Sequence, residues 1–196
     1  ARKALPLSQK QKDTSGINYC YATISRIELN AGKYNEALAA INESTRLMSK
    51  RVSQRVANIY ATKAEIYLKL NHPDLALPLL TRAKKVTDSA GFKTVSSVGY
   101  TEIDYDFYDY YLGQGNSAEA ERSLLTAYQK SSNEQGVPLQ LKYLRELGNF
   151  YQKRGQPEKS EKYFQEFFKV FDAREEGLHD FKVAQYEIDQ NDKVQK

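Results

Sequence analysis

Histidine and cysteine, the side chains that most often perform catalysis or bind metals, are scarce in this sequence. Among 196 residues there are two histidines, His72 in the segment NHPD and His179 near the C-terminus, and one cysteine, Cys20. No histidine or basic cluster stands beside Cys20 in sequence to activate its thiol as a nucleophile. HExxH, GxSxG and P-loop motifs do not occur. We therefore predict that the chain is not an enzyme and has no catalytic, cofactor-binding or metal-binding residues.

The segment YTEIDYDFYDYY, residues 100–111, combines aromatic rings with carboxylates. Its six rings cannot all share one face of a helix, so some must lie at the surface. Tyrosine rings can stack on a ligand while their hydroxyl groups bond it, and the carboxylates favour a basic partner. The predicted ligand-binding residues are Tyr100, Asp104, Tyr105, Tyr108 and Asp109. Alternatively, Phe107, Tyr108 and Tyr111 fill the core between helices while the acids solvate the outer face.

Charge and composition exclude several classes of function. The net charge is +4, and the basic residues are spread along the chain instead of forming the clustered stripe typical of nucleic-acid binding. One cysteine excludes internal disulfides and zinc sites built on several thiolates. Since no apolar run approaches the roughly 20 residues needed to span a bilayer, we predict no membrane contact by this segment itself.

Four segments of the chain share a common frame centred on a turn. The turn anchors lie at intervals of 39, 44 and 40 residues and are Gly32, Asn71, Gly115 and Gly155. Five positions after each anchor stands a small residue: Ala37, Ala76, Ala120 and Ser160. Nine positions after each anchor stands a large apolar residue: Ile41, Leu80, Leu124 and Phe164. A recurring frame of this length is typical of a repeat protein.

Each repeat is predicted to be a pair of antiparallel helices joined by a tight turn. Before the last turn, Leu141, Leu144 and Leu147 have the spacing of one helical face. Gly148 follows them inside the same helix, where glycine costs about 1 kcal/mol relative to alanine. We infer that Gly148 is accepted because it lets a neighbouring helix pack against bare backbone.

These positions carry a family resemblance. The series Leu147, Gly148, Tyr151, Gly155, Ser160 and Phe164 closely resembles a tetratricopeptide repeat (TPR), with its small, aromatic, glycine and alanine positions. The third repeat places Tyr108 at the small position, and the first places Glu28 at the aromatic position. The spacing exceeds the usual period of about 34 residues, so the repeats resemble an elongated variant. The resemblance implies an all-α right-handed superhelix of about four helical hairpins plus a C-terminal helix.

A second recurring sequence segment joins one repeat to the next. The segments KDTSG, TDSAG and SNEQG end at Gly16, Gly91 and Gly136. Each is predicted to be a helix C-terminus followed by a glycine with positive φ. Because the first of these segments follows only a short stretch of chain, we expect residues 1–176 to be a solenoid that starts within a truncated repeat. An uncovered helix face there could favour a homodimer.

Residues 177–196 are predicted to form a C-terminal capping or linker helix. Leu178, Phe181 and Ile188 give it a thin apolar stripe, which suits either a cap on the solenoid or the start of a coiled coil. The segment QYEIDQNDK at 185–193 resembles the helix that follows extracytoplasmic TPR arrays in membrane-bound bacterial sensor histidine kinases and related transcription regulators.

The resemblance implies a non-catalytic domain that binds a peptide or protein ligand in a concave groove lined by the first helices. It also implies the sensor region of a bacterial two-component or related signalling protein, extracytoplasmic (periplasmic) and anchored in the membrane in its full-length form. Two alternatives remain open, a cytosolic TPR scaffold or adaptor and an accessory domain of an enzyme, because fold alone does not fix function.

Overall fold

The computed structural model describes residues 1–48, 53–89, 102–131 and 136–194, with side chains as far as residue 183. These parts of the chain contain nine helices and no strand, as predicted for the all-α superhelix class. The helices are α1 (Leu5–Lys10), α2 (Thr14–Asn30), α3 (Tyr34–Arg46), α4 (Gln54–Lys69), α5 (Pro73–Ser89), α6 (Ile103–Gly113), α7 (Ser117–Lys130), α8 (Val137–Gln152) and α9 (Pro157–Val194). Among the helices described, none is long and apolar enough to cross a membrane.

The chain forms two compact units, Ala1–Ala127 and Tyr128–Lys196. In the first unit α2 packs against α3 and α4 against α5, and each hairpin also contacts the helices that follow it. Its core includes Leu29, Ile41 and Ile66, all buried between α2, α3 and α4. In the second unit α8 packs against α9. The predicted hairpin pairing is therefore confirmed for α2 with α3, α4 with α5 and α8 with α9.

The four turn anchors adopt the left-handed conformation that the frame requires. φ is +73° at Gly32, +61° at Asn71, +71° at Gly115 and +65° at Gly155. After each anchor the next amide donates to the carbonyl five residues back, over 2.8–3.1 Å. This is the Schellman motif that ends a helix, and it selects glycine or asparagine at the anchor because larger side chains are strained there.

The prediction for the joints between repeats is wrong where it can be compared. The residue with positive φ before α2 is Lys12, at +55°, and not Gly16. Gly16 lies inside α2, where its amide donates to Asp13 Oδ1 at 2.9 Å and a Cβ atom would stand 2.3 Å from Asp13 Oδ2. Gly136 has φ of −95°. Gly91 falls outside the described residues.

Small residues lie where the two helices of a hairpin cross. Ser25 Oγ donates to the carbonyl of Ala37 at 2.8 Å, and Ser160 Oγ donates to the carbonyl of Gly148 at 2.9 Å. Each pair is separated by the same number of residues, which shows one crossing geometry in the first and last hairpins. Gly148 makes room for an aromatic ring, because a Cβ atom there would stand 2.7 Å from Phe164 Cζ.

In the second unit, helix α9 continues without a break from Pro157 to Val194. The predicted division at residue 176 falls inside this helix and stays a prediction. Gly177, next to that division, has no atom within 4 Å of the position of a Cβ. Several large apolar side chains on the helix are exposed: Phe168, Phe171, Leu178, Phe181 and Val183.

Candidate functional site

A row of polar side chains crosses the first helices of the three hairpins in the first unit. The row occupies positions nine, six and two residues before each turn anchor, which share one helix face because side chains three, four or seven apart are neighbours. We call these residues the polar ladder: Arg26 on α2, Thr62, Glu65 and Lys69 on α4, and Asp106 and Asp109 on α6.

Ion pairs and hydrogen bonds join the ladder from one helix to the next. Arg26 donates to Glu65 Oε2 at 2.5 Å through Nη1 and to Thr62 Oγ1 at 2.6 Å through Nη2. On the next step, Lys69 Nζ lies 3.8 Å from Asp109 Oδ2. The Arg26 and Glu65 side chains are 23% and 24% exposed, so they are held in place and still reachable from solvent.

Asp106 is the buried carboxyl of the ladder, with 6% of its surface exposed. Burial raises the pKa of its carboxyl well above the usual range, and the neighbouring charge of Glu65 raises it further. Asp109 and Glu102 act in the same direction, while Arg26 opposes them. No described group forms a hydrogen bond with the buried Oδ2 atom.

The structure distributes the predicted binding residues over different environments. Asp109 lies in the ladder, and Tyr105 is half-buried with its ring centre 5.3 Å from that of Tyr108. Tyr108 is buried at the crossing position, as the packing alternative has it. Asp104 faces the preceding hairpin, where Lys84 Nζ lies 3.3 Å from its Oδ1. Tyr100 falls outside the described residues, and ligand binding by this set stays a prediction.

Sequence reasoning missed the ladder itself. Arg26, Thr62 and Glu65 were not among the predicted site residues, and Asp106 was noted only as one acid of the aromatic segment. A signal was present in the alignment on the turn anchors. The position six residues before the anchor holds a charged residue in three successive repeats, Arg26, Glu65 and Asp109, and opposite charges on adjacent helices, such as those of Arg26 and Glu65, can pair.

No protein-family model matches the chain, and no curated protein matches it by sequence. Solved structures do match it, beginning with BtubC (BKLC) from P. vanneervenii, with a TM-score of 0.72, 16% identity and coverage of 89% of this chain and 71% of that chain. A STAND (Signal Transduction ATPase with Numerous Domains) protein with a tetratricopeptide repeat sensor from Pyrococcus horikoshii matches with a TM-score of 0.65 and 21% identity.

A Podosopora anserina kinesin light chain protein with TPR-like repeats also matches, with a TM-score of 0.62, 14% identity and coverage of 89% of this chain and 92% of that one. The chain has the tetratricopeptide-repeat fold. Identities this low establish the fold alone. The match covers 88% of this chain but only 25% of the STAND protein, so nothing of that protein's ATPase activity carries over.

A TPR fold accounts for what the ladder can do. Stacked repeats of this kind present extended surfaces on which a partner can bind, and the ladder lies on the first helices of three such repeats. In the described part of the chain, no three His, Cys, Asp or Glu side chains are grouped as a metal site. The ladder offers charges and hydrogen-bonding groups that can recognise a partner.

Proposed function

We propose that the polar ladder of the first unit is the surface on which this TPR domain binds a peptide or protein partner without catalysis. The observation that carries the proposal is the Arg26–Glu65–Thr62 cluster, which joins two first helices over 2.5–2.6 Å and remains partly exposed. Side chains held in this way lose little conformational freedom when a ligand binds, which favours affinity.

Charge distribution supports the same surface. Asp109 is 31% exposed and Lys69 45%, so the ladder presents both signs of charge to a partner. On two of the second helices, ion pairs lie within one helix: Glu43 with Arg46 on α3 and Glu119 with Arg122 on α7. Pairs within one helix contribute little, whereas pairs across helices order a surface.

A matched pair of variants tests the proposal. Peptides selected from a random library against the first unit in the whole chain would be titrated into wild type, into the double variant Glu65→Gln, Asp109→Asn, and into the control Glu43→Gln, Glu119→Gln. Both doubles remove two negative charges. We expect about tenfold weaker binding for the ladder variant and an unchanged affinity for the control. Equal affinities for all three proteins would refute the ladder as the binding surface.

We further propose that the domain is the sensor region of a bacterial signalling protein and is extracytoplasmic. The resemblance of residues 185–193 to the helix of TPR-containing sensor kinases supports this context, as does the likeness to a protein with a TPR sensor. Reporter fusions to the full-length protein in its host would test it. Activity of a periplasmic reporter is expected, and activity of a cytoplasmic reporter alone would favour the scaffold or adaptor.

We also propose that α9 mediates a homodimer. Phe171, Leu178 and Phe181 are exposed, and they continue along the helix face through which Phe164 packs on α8. A second copy of α9 would cover the same stripe by symmetry. Sedimentation velocity should show a dimer that Phe171→Gln, Phe181→Gln abolishes and that the control Lys169→Gln, Lys182→Gln preserves. A wild-type monomer at every concentration would contradict the proposal.

A further inference from the structure

The two steps of the polar ladder differ in their hydrogen-bonding chemistry. Between α2 and α4, one donor side chain, Arg26, bridges two acceptors, Thr62 and Glu65. The equivalent positions between α4 and α6 hold Glu65 and Asp106. Both of these are carboxyl groups. The second step therefore has two acceptors side by side, whereas the first step has a donor beside its acceptors.

Asp106 is left with an unsatisfied atom by this arrangement. Its Oδ2 is buried and accepts no hydrogen bond from any described residue, although its surroundings are polar. Buried polar atoms are almost always hydrogen-bonded, because leaving one without a partner forfeits its hydration and gains nothing in return. Since no described residue supplies that hydrogen bond, the buried carboxyl oxygen is suited to a donor that a bound partner brings.

The charged groups around Asp106 indicate which donor would fit. From its own helix Asp109 and Glu102 act on it, from α4 Glu65, and from α2 Arg26, which already bonds Glu65 and Thr62. Three of these four neighbours are acidic. A cation is favoured at such a place, and a neutral donor or an anion is not.

We propose that the step between Glu65 and Asp106 binds a basic side chain of a peptide partner, a lysine ammonium or an arginine guanidinium. This inference rests on the proposed function of the ladder and names the chemistry of its partner. Glu65 is 24% exposed and Asp106 only 6%, so the cation meets Glu65 first and Asp106 behind it. The bound cation supplies N–H groups to both carboxyls, as Arg26 does for Thr62 and Glu65.

Binding of a cation has a consequence for the proton on Asp106. Burial and the acidic neighbours raise the pKa of the unliganded carboxyl, whereas an adjacent positive charge lowers it. At a pH between the lowered pKa of the complex and the raised pKa of the free protein, binding therefore releases the proton from Asp106. A carboxyl with a purely structural role in α6 would show no such response to ligand.

The test uses the peptides AAKAA and AARAA, each acetylated at the N-terminus and amidated at the C-terminus. AAEAA is the acidic counterpart, and AAKAA acetylated on the lysine Nζ is the uncharged counterpart. Backbone amide shifts in NMR titrations give the affinities, and the Asp106 carboxyl ¹³C shift reports its ionisation. The basic peptides should bind about tenfold or more tightly than the acetylated one, and their addition should shift Asp106 toward the carboxylate. The same affinity for AAKAA and its acetylated form would overturn the inference.

Two variants test the site, and thermal unfolding shows whether each is folded. Asp106→Asn and Glu65→Gln should each abolish the preference for the basic peptides. The control Glu43→Gln should keep that preference. If library peptides without basic residues bind the ladder and lose affinity in the Glu65→Gln, Asp109→Asn variant, the proposed function stands and the cation site fails. If no peptide binds wild type, both fail.

Discussion

The two units of the molecule use the same backbone geometry with different side-chain chemistry. In the first unit, charged groups join neighbouring helices, as in the pairs Arg26–Glu65 and Lys84–Asp104. In the second unit, aromatic rings do so: Tyr151 stacks on Tyr163 with centres 5.5 Å apart. The crossing and the turn are common to both, so they define the fold, and the variable helix faces carry what distinguishes one unit from the other.

The crossing shows which requirement is strict. Ser25 lies on the first helix of its hairpin and donates to Ala37 on the second, whereas Ser160 lies on the second helix and donates to Gly148 on the first. The hydroxyl can come from either helix of the hairpin, because each helix has a backbone carbonyl at the crossing that can accept its hydrogen bond. What cannot change is the total size of the two residues, since the helices approach closely at that point.

The largest effect is expected at Gly148. Substitution by leucine or alanine places a Cβ atom 2.7 Å from the Phe164 ring and should destabilise the second unit by about 1–3 kcal/mol, despite the better helix propensity of both residues. Urea denaturation measures the change.

Gly177→Ala in the same helical unit is the matched control, because nothing lies within 4 Å of its Cβ position. That variant should be stabilised by about 0.5–1 kcal/mol through helix propensity alone. If Gly148→Ala gained stability as Gly177→Ala does, close packing at the crossing would not be the reason for the glycine.

The next effect separates the units by their response to pH. Folding raises the pKa of Asp106, so the stability it contributes is full below the unfolded value of about 3.9 and is lost as pH rises through the folded value. Asp106→Asn should therefore increase the free energy of unfolding at pH 7 by on the order of 1 kcal/mol or more, which a higher thermal midpoint would show. The gain should shrink as the pH approaches 4, and a gain independent of pH would rule out the carboxyl charge as its cause.

Local backbone requirements were predictable from the sequence. The turn anchors carry their signal in one residue each, because only glycine or asparagine readily adopts the φ of +61° to +73° found there. The small crossing residues repeat at a fixed distance from those anchors and could be read in the same way. The joint before α2 was misread because Lys12 takes the left-handed conformation without a glycine, while Gly16 serves the Asp13 cap.

The site was harder to predict because it depends on which helix faces meet. Arg26 and Glu65 are 39 residues apart, and nothing local marks either as a binding residue. Aromatic density drew attention to α6, where Tyr108 turned out to be core and Asp104 a partner of Lys84. Asp106, between them, is buried as they are, but the charges of Glu65 and Asp109 act on it, and a single helix pattern does not reveal those neighbours.

The two hydroxyl crossings can be compared directly. Ser25→Ala and Ser160→Ala each remove one buried hydrogen bond to a backbone carbonyl, and each should cost about 1 kcal/mol in urea denaturation. Ser123→Ala, a half-buried serine of α7, is the control and should change stability little. A large loss at one crossing and none at the other would mean that the two hairpins do not share one geometry.

The smallest effect concerns the alkaline limit of the second unit. The Tyr128 hydroxyl donates to Glu166 Oε1 at 2.5 Å, and burial together with this bond raises the pKa of Tyr128 to about 12. Its contribution is therefore full below the unfolded pKa of about 10 and is lost as pH rises from about 10 to 12.

Tyr128→Phe should cost about 0.5–1 kcal/mol at pH 8, since the pair is partly solvated. The variant should also lose stability less steeply than wild type between pH 10 and 12, whereas Tyr19→Phe on the exposed face of α2 should follow wild type throughout. Parallel alkaline slopes for Tyr128→Phe and wild type would show that the hydroxyl bond does not couple the fold to pH. The difference in pH response between the two units would then rest on Asp106 alone.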